Sequence, residues 1–420
     1  MGGTDHGRAP QRRTSRAAVA AAAWAALLYA GIPLVRPVQQ RLLGSLGPGW
    51  IIATVLGAVA AALVVAAILV RRSPRPTTSF DLVWLAAIAA LAAAAAWQLR
   101  GRPEEAVHLV QFGVLAVLIY RSLRPPEPDV AVLAAVVLLG SLVGTVDEII
   151  QWIVPGRFWD LRDVAVNAAA CALVAAALWR LDPGPWRRPP PSSLSLALRL
   201  AAALILLLAL CLANTPGRVA WYAGRVPGLG LLARADNAMT EYGHRHRLPG
   251  IGEMKSRLTM AELAAQDRER AAEVAAVLDR YPEGRYGRFL EDHGEAADPF
   301  LYEARIHLFS RDAHFRQFRD AAPGSAAAPE HATIAFREQQ LLERVFANTL
   351  ARSRFGLDPQ RRRSLEQAHD PERPFVSSSA SHLITGVGER PLRIALLAAA
   401  AALLALDAAV RRRMRMEASP

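Results

Sequence analysis

Lysine is almost missing from these 420 residues: Lys255 stands alone, and basic charge is carried by arginine. With the heavy use of alanine, this reflects a GC-rich genome and indicates no function. There are two cysteines, Cys171 and Cys211, both inside apolar runs. Neither has the spacing of a disulfide partner or a metal ligand, so they are silent about redox compartment. Residues 214–390 have no regular strand alternation, no internal repeat and no nucleotide-binding loop. Asn348-Thr349-Leu350 lacks the hydroxyl of a glycosylation acceptor. No nucleophile–base pair or metal triad is recognisable anywhere, which favours a non-catalytic protein, and no cofactor is implied.

The net charge of +12 would suit nucleic acid, but its distribution excludes that partner. Residues 214–390 hold 25 Lys+Arg against 24 Asp+Glu and are nearly neutral. The excess lies at the ends and in loops flanking apolar segments, as membrane orientation requires. The apolar share is 53%, much of it in long Ala/Leu/Val blocks. That composition reads as a membrane protein. Runs of about 20 apolar residues cross roughly 30 Å of hydrocarbon. Such runs are Ala17–Val35, Trp50–Val70, Phe80–Leu99, Val107–Leu123, Val130–Val154, Asp163–Leu181, Leu194–Ala213 and Leu392–Val410. The first is longer than a signal-peptide core and has no small-x-small cleavage site, so an uncleaved helix is expected.

The fold class expected is all-α: a polytopic membrane helix bundle of about eight transmembrane helices with a mostly helical extracytoplasmic domain. Residues 1–16 form a tail, 17–100 carry helices one to three, 101–181 helices four to six, and 194–213 the seventh. The helical domain spans 214–390, the eighth helix 391–410, and a second tail 411–420. Arginines at the N-terminus, in 71–76 (with Arg75), 121–129 and 180–193, and at 411–415 place those segments in the cytoplasm. Arg36, Arg41, Arg100 and Arg102 fall on the opposite side. By this parity 214–390 is extracytoplasmic, in a cytoplasmic membrane crossed many times. Inside it, Thr259-Met260-Ala261-Glu262 is a capping box. Asp298-Pro299 starts a second helix. Thr333–Ser353 is a third, ending near Gly356. Pro374–Gly388 reads as a linker. Eight histidines are scattered here, with Tyr242-Gly243-His244-Arg245-His246 and the His307, His314 pair the nearest to a cluster. None has metal-site spacing, and no metal is expected. Arg361, Arg362 and Arg363 read as a solvated charge run.

One stretch breaks the apolar pattern, the polar run from Gly144 to Asn167 between the fifth and sixth helices. Ionisable groups at membrane depth are costly and by default mark a functional site. Glu148 and Gln151 share a helix face. Gly144 on the same stripe lets a neighbour approach closely. Asp160, Asp163 and Asn167 form a stripe leading into the sixth helix, and Glu104, His108 and Gln111 one leading into the fourth. Under the expected topology all three lie at the outer leaflet. His108 can exchange a proton. Glu148 and Asp163 suit a cation or a base role. Arg157 has a fork for a carboxylate or phosphate. The plainer reading is that such groups pair with each other and set helix register, as an Arg157–Asp163 bridge would. Asp160 and Arg162 also fit a solvated loop.

Residues 104–178 resemble the VanZ-like family. The resemblance rests on Glu105 with His108, the Glu148-x-x-Gln151 pair, Pro155-Gly156-Arg157, Asp160, Asp163 and Asn167. The family commonly has an Asp-Lys pair before the histidine, where this chain has Glu104-Glu105. It often has glycine after the asparagine, where this chain has Ala168 to Ala170. The resemblance implies a polytopic bacterial membrane protein, with the founding member linked to glycopeptide (teicoplanin) resistance, and no settled reaction.

Two functions follow as expectations. The first is binding of an envelope lipid or a glycopeptide-type, anionic headgroup ligand at an outer-leaflet site. Its residues are Glu105, His108, Glu148, Gln151, Arg157, Asp160, Asp163 and Asn167. Membrane lipid is then one partner, and 214–390 offers a surface to an envelope protein. The alternative is an intramembrane enzyme acting on an envelope lipid, with His108, Glu148 and Asp163 as catalytic candidates. A transporter would need polar groups near the midplane and repeated halves, which are not seen.

Overall fold

The computed structural model describes residues 8–418 except 47–48, 75, 126, 155–156, 158, 183, 234–238, 296 and 323, and leaves the side chains of 8–14 and 35–46 undescribed. Residues 1–7, Arg75, Pro155 and Gly156 lie outside the described residues, as do the side chains of Arg36 and Arg41. In chain order the helices are α1 (Arg8–Leu46), α2 (Gly49–Arg71), α3 (Ser79–Gln98), α4 (Pro103–Leu123), α5 (Val130–Ile153), α6 (Leu161–Leu181), α7 (Pro191–Ala213) and α8 (Pro216–Ala223). Strands β1 (His244–Leu248) and β2 (Gly252–Ser256) follow. Then come α9 (Met260–Glu269), α10 (Ala271–Arg280), α11 (Tyr286–Asp292), α12 (Pro299–Asp320), α13 (Ala327–Val345), α14 (Ala347–Arg352), α15 (Pro359–Ala368) and α16 (Glu389–Ala418). The chain divides into two compact units, residues 1–211 with 393–420, and residues 212–392.

The first unit is a polytopic helix bundle. Among the described residues, eight helices are long and apolar enough to cross a membrane: α1 to α7 and α16. Their starts follow capping chemistry. Thr78 and Asp81 form a reciprocal capping box on α3, Asp129 caps α5 and Asp160 caps α6. Pro103 opens α4, so Glu104 and Glu105 stand in its first turn, where acids suit the helix dipole. Helix α4 packs against α1, α2, α5 and α6. Phe112, Leu115 and Ile119 fill the centre with Val132, Val136 and Cys171. In lipid, apolar burial gains little, so close packing must hold the helices together. A Cβ on Gly140 would strike Cys171 Sγ, which shows how near α5 and α6 run.

The end of the bundle formed by the C-termini of α4 and α6 is a set of satisfied ion pairs. Asp182 accepts from Tyr120 Oη at 2.5 Å and from Arg124 Nη2 at 2.8 Å. Asp81 accepts from Arg180 Nε at 2.8 Å, tying α3 to α6. Each buried carboxylate here has its donors, which is the condition for tolerating it.

The second unit is mostly helical, built on the α12–α13 pair. Its core joins Met254, Leu263, Leu278, Phe289, Phe300, Leu308, Leu341 and Phe346. Thr259 and Glu262 form the expected capping box, and Asp298 with Pro299 starts α12 as expected. The helix foreseen over 333–353 is interrupted at Phe346, which separates α13 from α14. Asp267 explains the restart, since its carboxylate accepts from the backbone nitrogens of Asn348 and Thr349 at 2.9 and 3.0 Å.

Two features depart from the sequence reading. β1 and β2 form an antiparallel hairpin, with His246 opposite Met254. Polar His and Arg side chains hide its alternation, because only Leu248, Met254 and Ser256 turn inward. The stretch 374–388 is not a free linker. Phe375, Ala380 and Leu383 are buried, Ser377 N donates to Glu253 O at 2.9 Å, and Ile384 N donates to Glu241 O at 3.0 Å. The segment bridges Val376 to Glu253 of β2 and Ile384 to Tyr242 ahead of β1.

Candidate functional site

The start of α4, the end of α5 and the start of α6 converge at the bundle end opposite the ion pairs. Glycine makes the convergence possible. A Cβ on Gly144 would lie 2.8 Å from Asn167 Cβ, so only glycine lets α6 come this close. The close approach foreseen at Gly144 is present, and α5 supplies the small residues where the resemblance had placed one after Asn167.

Asn167 is fully buried, and its Oδ1 meets His108 Nδ1 at 2.9 Å. An amide oxygen only accepts, so Nδ1 is the donor in this contact. His108 also stacks on Phe112, with centroids 5.9 Å apart. Glu148 is fully buried on α5. It accepts from Gln151 Nε2 at 2.8 Å and from Asp160 N at 3.2 Å. The Gln151 amide also donates to Asp147 Oδ2 at 2.9 Å, while its oxygen accepts from Arg157. Gln151 is therefore a hub joining two carboxylates and one guanidinium.

Glu105 is buried on α4 and pairs with Arg162 of α6 and, at 3.3 Å, with Arg102. Glu104 beside it is exposed, so the inward stripe of α4 is Glu105 with His108 rather than Glu104 with His108. Asp160 caps α6 through Arg162 N at 2.8 Å. Neither Asp160 nor Arg162 is bare solvated loop. The hydrogen bond described for the Arg157 side chain goes to Gln151, not to Asp163. Asp163 is half-buried, and its Oδ1 has no hydrogen-bond partner among the described residues. Asn167 Nδ2 and Trp159 Nε1 are likewise buried and unmatched. One acceptor and two donors thus stay unsatisfied in this region, and each costs about 1–3 kcal/mol if left so.

All eight residues singled out in the sequence lie on these three helix ends or the loop between them. Two others belong with them. Asp147 is buried and held by Gln151, and Arg162 holds Glu105. Asp147 had a signal, since it lies one turn before Gln151 on the same face. Arg162 had none, because its partner is 57 residues away. Around the site stand five carboxylates, Glu105, Asp147, Glu148, Asp160 and Asp163, against Arg157, Arg162 and the rim residue Arg102. The inner part therefore favours hydrogen-bond donors or a cation, and positive charge is confined to the loop and rim.

Residues 56–181 match the model of the VanZ/LLP1 family. The chain carries a VanZ-like segment within a longer polypeptide, reaching further upstream than residue 104 to take in most of α2 and all of α3. No curated protein and no solved structure matches the chain.

Proposed function

Starting from a VanZ-like segment in a multi-pass membrane protein, we propose that its polar helix ends bind the headgroup of an envelope lipid or lipid-linked precursor at the outer leaflet. The supporting observation is that Asp163 Oδ1 and Asn167 Nδ2, one turn apart on α6, are buried and unsatisfied beside carboxylates that Gln151 already holds. A hydroxyl matches both, donating to the carboxylate and accepting from the amide. The excess of carboxylates favours the donor-rich, sugar-like or amine-bearing part of such a ligand inside. Arg157 then takes the anionic phosphate at the rim, where its fork engages two oxygens. On this reading both the site and residues 212–392 are extracytoplasmic, as the arginine-bearing loops and an even number of spans favour, and residues 212–392 serve as a platform for an envelope protein.

The test uses the full chain in nanodiscs, with labelled phosphatidylglycerol and a polyprenyl phosphate as probes. Arg157→Ala and Glu148→Gln each weaken binding about tenfold, the equivalent of roughly 1.4 kcal/mol. Binding of both probes that is unchanged in both variants refutes the site.

A further inference from the structure

A second cluster of ionisable groups lies wholly within the 212–392 unit. The backbone pairing of residues 241–243 with Ile384 brings His382 beside Glu241. Arg257 follows β2, Glu295 lies in the loop before α12, and Glu303 is in α12 itself. Arg257 sits in the middle, with only 7% of its side chain exposed. It pairs with Glu241, donates to Glu295 at 2.7 Å and to His382 Nε2 at 3.1 Å, and lies 3.5 Å from Glu303.

The charges do not balance. One guanidinium faces three carboxylates, two of them buried. Glu303 is otherwise well served, accepting from Ser256 Oγ at 2.5 Å and from Arg257 N at 2.8 Å. Glu241 is not. It is 7% exposed, and its Oε1 has no hydrogen-bond partner among the described residues. Burying uncompensated charge costs several kcal/mol, so such a cluster recruits a proton or a cation.

Geometry favours a cation. One ligand atom each from Glu241, Glu295 and His382 lies within 4.8 Å of the others. Metal–ligand bonds of roughly 2.0–2.2 Å need those atoms only about 1 Å closer together. We propose that this unit binds a divalent transition-metal ion, of the zinc or manganese kind, through Glu241, Glu295 and His382. The mixed carboxylate–imidazole set suits zinc best and is more acceptable to manganese than to calcium or magnesium, which prefer oxygen alone. His382 is half exposed and gives the ion a route in, while Arg257 keeps Glu303 as a partner of its own. None of this depends on the lipid reading of the membrane site.

The experiment takes the full chain in detergent, free of any histidine tag and stripped with chelator. It is titrated with Zn2+ and separately with Mn2+, then dialysed and assayed for metal content. Expected are one tightly held ion per chain and a higher midpoint for thermal unfolding with metal. His382→Ala lies at the rim, spares the core and loses roughly 10- to 100-fold or more in affinity, as does Glu295→Gln. His244→Ala, at an exposed position of β1, leaves metal affinity unchanged. Wild-type protein that retains neither ion overturns the proposal, as does binding that survives both His382→Ala and Glu295→Gln in folded protein.

Discussion

Gly144 on α5 and Asn167 on α6 are packed so closely that a methyl group on the glycine would press on the asparagine side chain, 2.9 Å from its Nδ2. The same asparagine holds His108 of α4. One missing Cβ therefore sets the spacing of two helices and the orientation of a histidine on a third. Gly144→Ala is expected to lower thermal stability in detergent by about 1–3 kcal/mol through overpacking. Headgroup binding falls with it, because the added carbon displaces Asn167. A variant as stable as wild type, with unchanged binding of the lipid probes, would mean the helices slide apart freely.

Glu105 and Arg162 cross from α4 to α6 as a pair with a buried acid and an exposed base. Arg162→Ala leaves the carboxylate without its main partner and is expected to cost about 1–2 kcal/mol, less than a fully buried pair because water reaches the arginine. Adding Glu105→Gln restores most of the loss. A double-mutant cycle on thermal unfolding reads the coupling, and additive losses would show that the pair contributes nothing.

Acid should weaken the 212–392 unit. Burial alone would raise the Asp298 carboxyl, but the Arg270 guanidinium and Leu301 N hold it below the usual carboxylate range. Its contribution to stability is therefore complete above the unfolded value, about 3.9, and is lost as pH falls through the lower folded value. Unfolding midpoints measured from pH 7 down to pH 3 fall in the wild type. Asp298→Asn is less stable at pH 7 and falls less steeply below pH 4. Parallel curves for the two proteins would exclude Asp298 from the acid response.

Single cysteines near Ser73, Asp160 and Ser310, in a background with Cys171 and Cys211 replaced, report orientation. The sites at 160 and 310 are expected to label from outside the cell, and the site at 73 only after permeabilisation. Labelling of 160 and 310 from different sides would break the span parity on which the outer-leaflet assignment depends.

Much of this was legible in local spacing. Runs of about 20 apolar residues announced α1 to α7 and α16, and the Thr259–Glu262 and Asp298–Pro299 patterns announced α9 and α12. Each rests on neighbours within a turn or two. The hairpin escaped because His244, Arg245, His246 and Arg247 are polar on both faces, so its pairing leaves little trace in hydropathy. The 374–388 segment escaped because its Ser-rich composition resembles a linker, while its burial comes from backbone bonds to Glu241 and Glu253.

Identity, helical period and the cost of charge in lipid were enough to pick out His108, Glu148, Gln151, Asp163 and Asn167, because each of those signals is read along the chain; period pointed to Glu104, and it was the family resemblance that pointed to the buried Glu105. Which of them touch was settled by packing between helices. Gln151 rather than Asp163 engages Arg157, Asn167 rather than a carboxylate holds His108, and Arg162 reaches back across 57 residues to Glu105. Period places a side chain on a face. Only the neighbour brought against that face supplies its partner, and in this bundle the absent Cβ of Gly144 brings α6 there.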